Sequence, residues 1–99
     1  MIFMIKHIVM WKLKEETKEE NARKIKEDLE GLNNIIKEAL SIEVGIDINK
    51  SEQAYDVVLY STFNSLEDLD SYQKNNDHLK VASFIKKVAS SRVVVDYEV

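Results

Sequence analysis

Apolar residues follow two rhythms along the chain, one of period two and one of three to four, and their order outlines a fold. From Phe3 to Leu13 the residues are bulky or β-branched and the run is short, which predicts a strand. Its odd positions read Ile5, His7, Val9, Trp11 and Leu13, and its even positions Met4, Lys6, Ile8, Met10 and Lys12. Both faces are therefore apolar at the centre. Thr17 and Glu20 have the spacing of a capping box, and Ala22, Ile25, Leu29 and Leu32 recur behind them at helical spacing. Gly31 is placed to break or bend that helix, and a short second helical piece is expected over Asn33 to Ala39.

Leu40 to Ile48 alternates strictly, with Leu40, Ile42, Val44, Ile46 and Ile48 against polar or small neighbours, which predicts a half-buried strand at a sheet edge. The polar stretch Asn49 to Gln53 makes a turn. Tyr55 to Phe63 is the next strand, apolar on both sides at Val57, Val58, Leu59 and Tyr60. Ser65 caps a helix, with Asp68 at the capping-box position. A further helical piece begins near Asp77, its stripe formed by Leu79, Ala82, Phe84, Ile85 and Val88. Arg92 to Val99 closes the chain as a strand.

The order β-α-β-β-α-β predicts an α+β, ferredoxin-like architecture: a four-stranded antiparallel sheet with its helices on one face. Helices on one side leave Met4, Ile8, Met10, Val58, Tyr60 and Val94 assigned to the bare side. Each such side chain contributes about 1.5–3 kcal/mol when fully buried. A contiguous apolar patch of this kind marks an interface. The simplest cover is a second copy across a two-fold axis, so the expected state is a homodimer whose two sheets close into an α-β barrel. Lysine stems and the C-terminal tail are the plainer cover, but they shield edges better than sheet centres.

Composition narrows the function classes. A length of 99 residues fits one domain spanning 1–99. There is no cysteine, which excludes disulfides and thiolate sites and agrees with a cytoplasmic location. The net charge of −4 comes without a basic cluster, so no nucleic-acid binding is expected. Lys6, His7 and Lys12 interrupt the apolar start, and no small-residue cleavage site follows, so neither a signal peptide nor a membrane segment is expected. Two distant histidines give no zinc spacing, and Asp56 and Asp96 are lone strand carboxylates. No metal or cofactor is expected.

The chain resembles the stress-responsive A/B barrel (dimeric α-β barrel) family over nearly its whole length. The resemblance is carried by KHIVMWKLK, by AYDVVLYSTFNSLEDLDSYQ, by the Asp77–His78 pair and by the closing RVVVDYEV. Where the family has His-Pro-x-His before its last helix, this chain has NNDH and keeps only the final histidine. The resemblance implies a homodimeric barrel. A polyketide-cyclase branch of the family uses a tyrosine and a histidine in a pocket between sheet and helices, and these match Tyr72 and His78. A histidine on its first strand matches His7, and a further one falls at Val57, which is apolar here.

His78 and Tyr72 are accordingly the catalytic candidates. An imidazole titrates near neutral pH and suits a general base, and a His–Tyr pair without a nucleophile suits aldol-type closure or proton abstraction beside a carbonyl. The plainer reading of His78 is a first-turn helix residue bonding a backbone carbonyl. For want of a third convergent polar group it is weighed slightly ahead. His7, Trp11, Val57 and Phe63 are the ligand-binding candidates, although a lone histidine on an apolar face, or an inward aromatic, is more often core. Two functions stand side by side: a dimer binding a small apolar or aromatic carbonyl compound, and an enzyme acting on one.

Overall fold

The computed structural model describes residues 3–99. Strand β1 (Ile5–Leu13) is followed by helix α1 (Lys18–Glu30), strand β2 (Ala39–Ile46), strand β3 (Val57–Phe63), helices α2 (Leu66–Lys74) and α3 (Asn76–Val88), and strand β4 (Ala89–Glu98). The sheet order is β2-β3-β1-β4, and every neighbouring pair is antiparallel. This is the ferredoxin-like arrangement, in which each helical crossover skips one strand.

One face of the sheet carries the core. Ile5, Val9, Trp11 and Leu13 of β1 pack with Ala22, Ile25 and Leu29 of α1, Leu69 and Tyr72 of α2, and Ile85 of α3. Helix α3 rests mainly on α1 and α2 rather than on the sheet, and Ile85 is its only buried residue. That stand-off leaves room above β1 and β4.

Local chemistry explains most element ends. Ser65 caps α2, accepting from the Asp68 amide at 3.1 Å, as its spacing predicts. Asn75 separates α2 from α3 and caps α3, its Oδ1 accepting from the amides of Asp77 at 2.8 Å and His78 at 3.4 Å. Helix α1 stops at Gly31.

Other expectations need correction. Thr17 does not form a capping box: it sits in the left-handed region at φ 49° and its side chain makes no cap bond. Its hydroxyl donates to the Glu16 carbonyl and accepts from the Asn21 amide instead. No second helical piece spans Asn33 to Ala39, because a 3-10 turn, Gly31–Asn34, leads towards β2. The register shifts between Ala39 and Ser41, so Leu40 is bulged outward and Ala39 takes the inward place. Ile48 lies beyond the strand and is 92% exposed.

Asn33, Glu30 and Lys26 close the outer edge of β2. Asn33 donates to the Ile42 carbonyl (2.9 Å) and accepts from its amide (2.8 Å), so one side chain imitates a strand partner. Glu30 accepts from the Val44 amide and Lys26 donates to the Val44 carbonyl. Side chains that occupy an edge in this way block pairing with another strand.

The far face of the sheet is apolar at its centre and largely exposed; Lys6 shields one side of it, its Nζ 5.0 Å from the Tyr60 ring centroid. The register joins Ile8 with Tyr60 and Val95, and Met10 with Val58 and Val93. Val94 was expected among them but pairs with Val9, which puts it on the helical face. The run Val93-Val94-Val95 has no alternation of its own, so only its pairing with β1 sets its phase.

Candidate functional site

A cavity of about 440 Å³ lies where α3 stands off the sheet. That volume is within the usual range for small-molecule pockets. Val9, Trp11, Leu29, Leu59 and Ile85 give it an apolar floor, and His7, His78, Gln73, Lys86 and Arg92 supply polar groups.

His7 is placed by β1 and is only 2% exposed. In the β1–β4 ladder it faces Asp96, and its Nδ1 is hydrogen-bonded to the Asp96 carboxylate. A carboxylate can only accept, so Nδ1 carries the hydrogen and Nε2 is left with the lone pair. On the other side His7 faces Ser61, whose hydroxyl donates to the His7 carbonyl at 2.9 Å.

His78 lies in the first turn of α3, and its Nδ1 donates to the Gln73 carbonyl of α2 at 3.2 Å. This backbone bond is the plainer reading given to the residue, and it holds while His78 also lines the cavity. The bond again leaves Nε2 as the acceptor. Burial holds the imidazole below its ordinary pKa; the Gln73 carbonyl opposes that shift, and the nearby charge of Arg92 adds to it. His78 is therefore neutral at pH 7.

Tyr72 is fully buried on α2 and does not line the cavity. Its ring lies 4.4 Å from that of His78 and 5.1 Å from that of Phe63, centroid to centroid. Its hydroxyl is buried and finds no hydrogen-bond partner among the described residues. Burial pushes the phenol well above its ordinary pKa, so it remains a proton donor at neutral pH.

Three of the six candidates, His7, Trp11 and His78, thus meet in one cavity. Phe63 and Tyr72 form an aromatic layer behind the histidines, with His7 and Phe63 edge to face at 6.3 Å. Val57 is buried opposite Trp11 and lines a different cleft near the end of β2. The sequence reading did not single out Gln73, Lys86 or Arg92, nor pair Asp96 with His7. Antiparallel pairing of RVVVDYEV with KHIVMW would have set Asp96 and Arg92 on the side of His7 and Trp11, but that register is not written in either segment alone.

Among the described residues no group of acidic, histidine or cysteine side chains has the geometry to hold a metal. Asp96 is bonded to His7, and Asp56 accepts from the Leu13 amide at 2.7 Å. No helix among the described residues is long and apolar enough to cross a membrane.

Comparison with known proteins places this geometry in context. The family model described as the Stress Responsive A/B Barrel Domain matches residues 5–99. A dimeric protein of unknown function with a ferredoxin-like fold from Bacteroides fragilis is 32% identical, with a TM-score of 0.89 over 97% of this chain and 96% of that one. The hydroxynitrile lyase of Passiflora edulis superposes with a TM-score of 0.85 at 22% identity, covering 97% of this chain and 93% of its own. A Dabb family protein of Mesorhizobium loti gives 0.74 at 18% identity, over 96% and 95%. No curated protein matches the chain.

Proposed function

The chain belongs to the stress responsive A/B barrel domain family, and on that premise we propose that it is a homodimer that binds a small apolar or aromatic carbonyl compound in the cavity between sheet and helices. The observation that carries the reading is the convergence of His7 and His78, from opposite ends of the chain, on one cavity floored by Trp11 and aliphatic side chains. Each histidine has its Nδ1 tied to a fixed acceptor. Apolar walls with a few oriented polar groups are the usual composition of a small-molecule site.

The dimer rests on the far face. Met10, Tyr60, Val93, Val95 and Tyr97 are exposed there, and Ile8 and Val58 are half-buried between them. The Bacteroides fragilis structure of the same fold is dimeric. A second sheet laid on this face removes the patch from water and gives a small domain the extra burial it needs. No domain boundary is proposed within residues 1–99, and nothing in the reading calls for a cofactor or a metal.

A second reading, an enzyme with His78 as general base and Tyr72 as its partner, is favoured by one specific observation. The Gln73 carbonyl holds Nδ1–H, and burial keeps the ring neutral, so Nε2 is an available base. In this reading Nε2 takes a proton from the carbon beside the bound carbonyl, and Tyr72 backs the imidazole ring. The scaffold hosts at least one enzyme, the Passiflora edulis lyase.

Thermal melting against a panel of small aromatic aldehydes and ketones tests the binding reading. A ligand at 100 times its Kd stabilises the native state by about 2.7 kcal/mol. A rise in Tm that is lost in His7→Ala supports the reading; no shift across the panel contradicts it. If turnover of a ligand is found, His78→Ala lowers it by about two to four powers of ten, and an unchanged rate removes His78 as the base.

A further inference from the structure

Resting on the cavity reading above, we infer that the ligand is an organic anion, its apolar body lying on Trp11 and its carboxylate held by Arg92 at the cavity mouth. The charge of the lining is one-sided: Arg92 and Lys86 stand among the neutral polar groups of Gln73, Ser90, Ser91, His7 and His78, with no acidic side chain. The chain as a whole has 18 Asp and Glu against 14 Lys and Arg, so a cavity rimmed by cations does not follow from composition.

Arg92 is exposed, sits on the helical face of β4 directly opposite Trp11, and lines the cavity that Trp11 floors. Asp96 is the neighbouring carboxylate on that strand face, and it is bonded to His7. Among the described residues neither Arg92 nor Lys86 makes an ion pair, whereas Lys18, Lys24, Lys26 and Lys74 all do. The field of Arg92 reaches His78, where it disfavours the imidazolium. Guanidinium presents a planar fork that matches a carboxylate with two parallel hydrogen bonds, and Lys86 adds a second, more mobile charge. A cavity with an apolar floor and two unpaired cations at its rim selects an apolar acid over the matching neutral compound.

Trp11 is the only tryptophan in the chain, so the tryptophan fluorescence comes from a residue that lines the cavity. The probes are 4-phenylbutyrate and 4-phenylbutanamide, which share one body and differ in charge. The inference predicts that at low salt the carboxylate quenches Trp11 with a Kd about tenfold lower than the amide. Arg92→Gln removes most of that preference, Lys86→Gln a smaller part, and 0.5 M NaCl weakens it. Circular dichroism of each variant confirms an unchanged fold. Equal binding of acid and amide, or a preference that survives Arg92→Gln, overturns the inference and leaves the cavity reading intact. Binding of neither probe at millimolar concentration overturns both.

Discussion

His7 on β1 and Asp96 on β4 face each other across the sheet and share a hydrogen bond, so a nearly buried imidazole is fixed by a carboxylate that is 37% exposed. The pair ties the last strand to the centre of the sheet and decides which nitrogen of His7 is free. Removing the carboxylate leaves a buried N–H without a partner, which costs about 1–3 kcal/mol. Asp96→Ala is expected to lose that amount in urea unfolding, and Asp96→Asn, whose amide oxygen still accepts, clearly less. Equal losses in the two variants would show that the hydrogen bond is not what matters.

Tyr72 presents the opposite situation, a buried hydroxyl with no partner among the described residues. A buried polar group without a hydrogen bond is a cost to the fold. Tyr72→Phe is therefore expected to leave the unliganded Tm unchanged or raise it. Tyr72 does not line the cavity, so the same variant is expected to leave ligand binding there unchanged. A Tm that falls by several degrees would mean that the hydroxyl is satisfied in solution.

Stability should depend on pH through His78. Its folded pKa is held below its ordinary value, chiefly by burial. Between the ordinary histidine value, about 6.5, and that depressed value, the unfolded chain binds more protons than the native one. Stability is thus fully present above about pH 6.5 and declines as the pH falls towards the folded pKa. His78→Gln should flatten this part of the urea midpoint-versus-pH curve. An unchanged slope in the variant would assign the dependence to another group.

The apolar far face gives a prediction about assembly. Met10 and Val95 lie beside one another's partners in the β1–β4 ladder, both exposed and away from the helices. Met10→Glu or Val95→Glu would bury a carboxylate against its own symmetry mate and is expected to convert a dimer to a monomer in light scattering. Leu66→Glu, an exposed position at the start of α2, should leave the dimer intact. A wild-type protein that is monomeric at micromolar concentration would refute the assembly outright.

Much of the scaffold was legible because its signals are local. Ser65 and Asp68 mark the start of α2, Gly31 the end of α1, and the odd positions of β1 the inward face. What escaped depends on pairing between distant segments. The bulge at Leu40 shifts a clean alternation by one residue, and the three consecutive valines of β4 look alike in either phase. Thr17 has the right neighbours for a cap but a backbone that prevents one. The site was half legible for the same reason. Histidines and aromatics announce themselves as residue types, whereas Asp96 and Arg92 matter only because β4 lies beside β1 in this register.

The chain has two histidines, so nitrogen-detected NMR of its imidazoles yields two sets of signals that can be assigned with His7→Gln and His78→Gln. Adding an aromatic ketone such as acetophenone should move the Nε2 resonances of both rings along one saturable curve, with the Nδ1 resonances largely still. Saturable binding that moves neither ring, or only one of them, would contradict a shared cavity.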